Sequence, residues 1–350
     1  MKIGFWTRED TLLNNYVFFN RGEDASFNTS HNIWVSLYEE LKKINYNIQT
    51  IDLVDDISSL DCVIFLDFPE GKISPLAKKA LSHKKKILIT FENEVVAKNN
   101  WNISNHNFFD VILTWNDDYI DNAKYFKIMV PGLSQHYQEY DLLPFHKKEN
   151  LSCMVSWNKK YNHRNETQNT KIEIIKWFEK NKLNDFHLYG PNWDEKVFSY
   201  SSFLKFLNYP RFKKFRKFFN KNKFISWKGK TNDKQKTIRN YKFCFIIENV
   251  AIYNGYITDK IFDCFFSGTV PIYLGAKNIF DFIPQNCLVD LRDFKNNDDL
   301  YFFLKSIDES KYKNYINNIQ KFLKNDTNYI FTFKYFNNEI IKAINLITKY

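Results

Sequence analysis

The sequence predicts an α/β protein of two domains, each built on a parallel sheet with helices on both faces. Three observations carry this. Apolar strand-like runs and amphipathic stretches alternate about every 15–25 residues, the signature of βαβ units. CVIFLDF at 62–68 and YKFCFII at 241–247 are apolar on successive residues, as in strands covered on both faces. Finally, 350 residues exceed one ordinary domain of about 100–200, and a polar stretch, Phe145 to Asn150, divides the chain.

The first residues, KIGFW, read as a buried strand. A helix follows around Asn32 to Lys43, with Ile33, Trp34, Leu37 and Leu41 on one face. Strands come next near Tyr46 to Ile51 and at 62–68, then a helix from Ile73 to Leu81. KKILITFENE (85–94) is a strand ending in two carboxylates, and VILTW (111–115) is another. Beyond the divide, LSCMVSW (151–157) is a strand, KIEIIKWFEKN (171–181) a helix and FHLYG (186–190) a strand ending on glycine. YKFCFII is the most apolar strand; a helix from Thr258 to Ser267 and the strands TVPIYLG and CLVDL follow. The tail from about Asp298 is helical. The domains expected are 1–148 and 149–330, with a helix at 331–350 packing back toward the first domain.

Composition narrows the function classes. An apolar fraction of 44% excludes general disorder. The uncharged stretch in the apolar C-terminal region, Cys264 to Ala276, is short of the about 20 residues that span a membrane. The N-terminus has no apolar segment of the signal-peptide kind, and five scattered cysteines form no CxxC pair. They read as reduced core residues of a cytoplasmic protein. The net charge of +10 is concentrated: Lys205 to Lys230 holds ten basic residues and no Asp or Glu. Phe212, Phe215, Phe218 and Phe219 fall among those cations at helical spacing, predicting a short basic amphipathic helix. It is either a solvated surface helix or a foot on an anionic membrane, where each basic residue contributes about 1 kcal/mol. No nucleic-acid recognition motif accompanies it.

The nine glycines never form GxG, which removes the dinucleotide fingerprint and the Walker loop, and HExxH and GxSxG are absent. The seven histidines are isolated, and Asp117–Asp118 read as a capping pair rather than cation ligands. An enzyme built on this chain would run on carboxylates and lysines, without a fixed metal.

The most informative stretch is Phe243 to Gly275. A buried strand ends at Ile247, a polar aromatic loop follows, and a helix starts with Thr258 as N-cap and Asp259 and Lys260 in its first turn. A helix start at the carboxyl edge of a parallel sheet attracts phosphate. A lysine there opposes the helix dipole by about 0.3–1 kcal/mol unless an anion lies between them, so Lys260 suggests a diphosphate.

Glu248-Asn249, Tyr256-Ile257-Thr258-Asp259-Lys260, Gly268-Thr269-Val270-Pro271-Ile272-Tyr273-Leu274-Gly275, Phe282-Ile283-Pro284 and Asp293-Phe294 closely resemble the signature of the α-1,3/4-fucosyltransferases, glycosyltransferase family ten. WKGKTNDKQKTIRNYKF (227–243), KIEIIKWFEKNKLNDFHLYGPNWD (171–194) and ITFENE (89–94) resemble the family's preceding segments. The resemblance reaches from about residue 85 to 295.

It implies a GT-B fold, two Rossmann-like domains facing each other across a cleft, with GDP-fucose in the second and the acceptor sugar in the first. It implies inverting transfer without a metal or other cofactor. The general base by position is Glu92. Lys260 would hold the diphosphate, with Asp259, Tyr256 and Asn249 lining the ribose and fucose, and Glu248 ordering the loop. Ser156 and Asn158 are weaker donor-side candidates.

Two departures stand out. The family's Thr-Glu-Lys is Thr-Asp-Lys here, and the family's arginine on the diphosphate is replaced by Lys171, with Arg164 seven residues earlier as the alternative. They leave room for another nucleotide sugar, or for a non-catalytic glycan- or membrane-binding protein. The missing N-terminal anchor of eukaryotic members points to a bacterial-type or viral enzyme acting on lipopolysaccharide or another surface glycan.

Overall fold

The computed structural model describes residues 1–19, 28–133, 142–200, 202–220 and 223–349. The chain forms two units: Met1–Tyr137 with Asn254–Asp259 and Tyr329–Tyr350, and Gln138–Tyr253 with Lys260–Asn328. The boundary expected at 148/149 therefore lies earlier, and two later segments return to the first unit.

The first unit is a six-stranded parallel sheet: β1 (Lys2–Thr7), β2 (Asn47–Thr50), β3 (Cys62–Leu66), β4 (Lys86–Thr90), β5 (Val111–Thr114) and β6 (Tyr125–Lys127), in the order β2-β1-β3-β4-β5-β6. Alternation within β3 builds two cores. Cys62 and Ile64 join one with Ile33, Leu37 and Leu41 of the helix Asn28–Lys43. Val63 and Phe65 join the other with Ala77 and Ala80 of the helix Pro75–Leu81. Burying each such side chain of Val, Leu or Phe size stabilises by about 1.5–3 kcal/mol. The terminal helix Phe333–Thr348 adds Phe336, Ile340 and Ile344 to the first core.

The second unit is a five-stranded parallel sheet: β7 (Asn150–Val155), β8 (Phe186–Tyr189), β9 (Tyr241–Ile247), β10 (Val270–Leu274) and β11 (Val289–Asp290), in the order β11-β10-β9-β7-β8. Its core joins Phe243, Phe245 and Ile247 of β9 to Ile174, Ile175 and Phe178 of the helix Gln168–Asn181.

Both orders reverse direction once. The chain leaves β1 for β2 on one side and then reaches β3 on the other; likewise β7 leads to β8 and then to β9 on its far side. Open α/β sheets bind ligands outside the carboxyl ends of the strands at such a reversal. The loops after β1 and β3, and those after β7 and β9, are therefore the places to look.

Several expectations are corrected. Strand β6 had no apolar run to reveal it, being three half-buried residues. The helix expected from Thr258 begins at Lys260 and ends at Phe266. The basic segment holds only six α-helical residues, Lys213–Phe218, after two 3-10 turns, Phe203–Asn208 and Pro210–Phe212. Pro210 has no N–H to continue a helix through that point. Lys221 lies outside the described residues. All five cysteines are free and buried, and no helix among the described residues is long and apolar enough to cross a membrane.

Candidate active site

Glu248 follows β9 directly and is 0% exposed. A carboxylate removed from water needs a counter-charge, and Lys260 Nζ donates to its Oε2 at 2.5 Å. Glu248 N donates to Leu274 O at 2.8 Å, fixing the loop to the end of β10. The Thr167 hydroxyl donates to Glu248 O, and Thr167 N donates to Asn249 O at 3.2 Å. Thr167 immediately precedes the helix Gln168–Asn181, so these bonds bring that helix start to the end of β9. Gly275 leaves the room required: a Cβ there would meet Tyr273 Oη at 2.2 Å and Glu248 Cγ at 2.7 Å.

Lys171, one turn into the helix, is 6% exposed. Burial and the charge of Lys260 pull its ammonium down to about 7, opposed by Glu248 and Glu166, with Lys159 adding a smaller repulsion. Lys171 and Lys260 thus lie close enough to repel each other, with Glu248 drawing both. Lys260 and Glu248, expected to act separately, form one ion pair: Glu248 positions the lysine as well as the loop. Arg164 is exposed on the loop before the helix. Of the two alternatives, Lys171 is the one that joins the cluster.

Ser156 and Asn158 lie after β7. Ser156 N donates to Tyr189 O at 3.0 Å, its carbonyl accepts from Trp193 Nε1 at 2.7 Å, and its hydroxyl donates to Trp157 O at 3.4 Å. Gly190 has φ +120, and a Cβ there would sit 2.0 Å from Ser156 O, so only glycine fits. Asn158 Nδ2 donates to Asn192 O at 3.0 Å, and its Oδ1 accepts from Gln168 Nε2 at 2.9 Å. These bonds rigidify the loop at the β7/β9 reversal.

In the first unit the β1/β3 reversal carries a pocket of about 160 Å³ lined by Arg8, Trp34, Leu66, Asp67, Phe91 and Glu92 among others. Glu92, two residues beyond β4, has a side chain one-third exposed. Asp67 holds the turn beneath it. Its Oδ1 accepts from Phe91 N at 2.8 Å, Glu92 N at 3.0 Å and Asn100 Nδ2 at 2.6 Å. Burial pushes the Asp67 carboxyl up, while the Arg8 charge and the three donors work against that. Arg8 links both carboxylates, with Nε 3.9 Å from Asp67 and an Nη 3.9 Å from Glu92. Sequence reasoning missed Arg8 and Asp67. The available signal was their position, each just past the end of an apolar run.

Tyr256, expected on the donor sugar, is buried in the first unit with its ring 4.6 Å from that of Trp115. A buried phenol needs a partner, and its hydroxyl accepts from Asn93 Nδ2 at 2.7 Å. Gly255 permits this packing: φ is +79 and a Cβ would meet Trp115 O at 2.2 Å. Asp259 is half-buried and also belongs to the first unit, so the run Tyr256 to Lys260 is divided between the two.

The family described as glycosyltransferase family 10 (fucosyltransferase), C-terminal part, matches residues 192–338. This stretch of the chain is similar to the fucosyltransferases of that family. Glu248, Asn249, Tyr256, Asp259 and Lys260 lie inside the matched stretch; Ser156, Arg164, Lys171 and Glu92 lie before it. An Arabidopsis thaliana alpha-(1,4)-fucosyltransferase is 40% identical over 67 residues, 19% of this chain and 16% of that protein. The Helicobacter pylori alpha-(1,3)-fucosyltransferase FucT is 39% identical over 80 residues, 23% of this chain and 16% of that protein. The chain thus aligns with about a sixth of these curated relatives' length.

A solved alpha1,3-fucosyltransferase with GDP shares the fold at TM-score 0.54 and 15% identity, over 100% of this chain and 90% of that one. T4 phage BGT with its UDP-glucose substrate shares it at TM-score 0.56 and 12% identity, over 99% and 100%. The fold class is GT-B. Among the described residues no group of three or more His, Cys, Asp and Glu side chains could hold a metal ion.

Proposed function

We propose that this protein is an inverting fucosyltransferase that moves fucose from GDP-fucose to a hydroxyl of an acceptor glycan, in an α-1,3-type linkage. The match of residues 192–338 to the fucosyltransferase family carries the reading. The cluster of Lys171, Lys260 and Glu248 at the β7/β9 reversal supports the second unit as the donor side. The acceptor hydroxyl attacks the anomeric carbon opposite the diphosphate while Glu92 takes its proton. The bond from that carbon to the diphosphate oxygen breaks, and GDP leaves with its charge stabilised by Lys260 and Lys171. A β-linked donor gives an α-linked product. Lysines take the part a divalent cation plays elsewhere, so no metal is needed.

Asp259 and Asn249 remain assigned to the donor sugar, Ser156 to the loop beside it, and Arg164 is the alternative to Lys171 on the diphosphate. Tyr256 supports the loop through Asn93 rather than by meeting the sugar. The acceptor is a GlcNAc- or glucose-containing surface glycan such as lipopolysaccharide. It is built at the cytoplasmic face of a membrane that the segment Lys205–Lys230 contacts.

Thermal-shift titration with GDP-fucose, GDP-mannose, UDP-galactose and GDP, in the presence of a chelator, tests the donor. Selective stabilisation by GDP and GDP-fucose is expected. A preference for a UDP-sugar would move the protein to another GT-B transferase, and indifference to every nucleotide would leave a non-catalytic binding role.

A further inference from the structure

The basic segment turns its aromatics outward and buries a cation. Helical periodicity puts Phe212, Phe215, Phe218 and Phe219 on one stripe. In the structure Phe203 and Phe218 are each 83% exposed and Tyr209 is 60% exposed, while Arg216 is buried. Phe206, Phe215 and Phe219 are also exposed.

Arg216 works as the internal clamp. One Nη donates to Leu207 O at 2.6 Å and Tyr209 O at 2.8 Å, and the other lies 3.0 Å from buried Glu195. Lys217 reaches back to Asp194 at 2.6 Å. Asn208 exchanges hydrogen bonds with Phe198, donating at 2.8 Å and accepting at 3.0 Å. The aromatics are therefore held outward by a built scaffold; they are not frayed ends. Around them stand Lys205, Arg211, Lys213 and Lys214, with no acidic residue from Lys205 to Lys230.

Exposed aromatic side chains ringed by cations suit one surface above others. Aromatic rings reside at the headgroup level of a bilayer, and basic residues are drawn to its anionic lipids. Base stacking would call for open ring faces. Here the rings lean on one another, Phe215 to Phe219 at 4.5 Å and Phe218 to Phe219 at 5.1 Å, while Arg211 covers Phe212 at 4.9 Å.

We infer that residues 203–219 are an interfacial membrane foot in which Phe203, Tyr209 and Phe218 enter the headgroup region, so that adhesion is not carried by charge alone. The inference rests on reading the basic segment as a membrane contact, and adds insertion of the aromatics to it.

The test is co-sedimentation of the full chain with phosphatidylcholine vesicles, with and without phosphatidylglycerol, at about 0.1 and 0.5 M salt, where charge contacts are progressively screened. The triple variant Phe203→Ser, Tyr209→Ser, Phe218→Ser changes only exposed positions. The variant Lys205→Gln, Lys213→Gln, Lys214→Gln reports the charge part. Wild type should bind anionic vesicles, and at high salt it should bind at least about tenfold more tightly than the aromatic variant. Binding removed by salt and unchanged in the aromatic variant would overturn the insertion and leave a charge contact. No binding to anionic vesicles at low salt would overturn the membrane contact itself. Preferential binding of single-stranded DNA, lost in the aromatic variant, would replace it with a stacking platform. Thermal shift with GDP-fucose, run on the same variants, keeps donor binding separate from all three results.

Discussion

If GDP binds beside Lys171 as proposed, its binding should be a proton-coupled event. In the empty protein its ammonium sits at about 7, pulled down first by burial and then by Lys260. An incoming diphosphate supplies negative charge beside it and favours the charged form, returning it toward the ordinary lysine value of about 10.4. At pH 8 only about a tenth of the empty sites carry the proton, so binding takes up about 0.9 of one. The same linkage weakens GDP by a factor of about 50 between pH 7 and 9, since the empty site must first bind a proton that becomes scarcer.

The stability consequence has the opposite sense to that of a stabilised cation. The folded value is depressed, so the destabilisation is absent above the unfolded value, grows as pH falls toward about 7, and is complete below it. Titration calorimetry of GDP in two buffers of different ionisation enthalpy measures the uptake directly. Lys171→Arg, charged at every pH used, should flatten the pH profile; Lys171→Met should weaken binding throughout. A heat independent of buffer at pH 8, or the same uptake in Lys171→Arg, would refute the reasoning.

Four further outcomes follow from the geometry. Glu92→Gln should lower kcat by about 10²–10⁴ in a transfer assay while leaving the GDP thermal shift intact. Asp67→Ala leaves Phe91 N, Glu92 N and Asn100 without their acceptor. It should cost about 1–3 kcal/mol in urea unfolding and reduce kcat by loosening Glu92. Glu248→Ala leaves Lys171 and Lys260 facing each other; with Lys260 about one-third exposed, the loss should fall near about 3 kcal/mol, the low end for a broken buried pair. Gly190→Ala sets a methyl 2.0 Å from Ser156 O at φ +120 and should cost about 3 kcal/mol or more, seen as a drop in thermal midpoint.

Much of the architecture was legible because apolar runs reveal strands wherever both faces are buried. The run at 241–247 coincides with β9 to the residue, and the expected helix at 171–181 gains only its first three residues, from Gln168. At the edge of the first sheet the signal disappears. Tyr125–Lys127 is half-buried and carries no apolar pattern. In the basic segment the pattern misleads, because periodicity identifies a stripe without saying which stripe is inward. Arg216 faces inward since Glu195, Leu207 and Tyr209 satisfy its guanidinium there.

Of the site, the sequence alone determined the residue types: a carboxylate following β4, a lysine at a helix start, and glycines where no Cβ fits. Their partners were decided by tertiary structure. Glu248 and Lys260 are twelve residues apart, and Lys171 reaches them only because parallel pairing sets β7 beside β9 and Thr167 ties the intervening helix to Glu248 and Asn249. Asp67 and Arg8 meet Glu92 because β1, β3 and β4 lie side by side. Tyr256 meets Asn93 and Trp115 for a related reason. Local sequence fixes which groups are present, but burial and pairing of charge depend on neighbours far along the chain, and only the folded sheet brings those together.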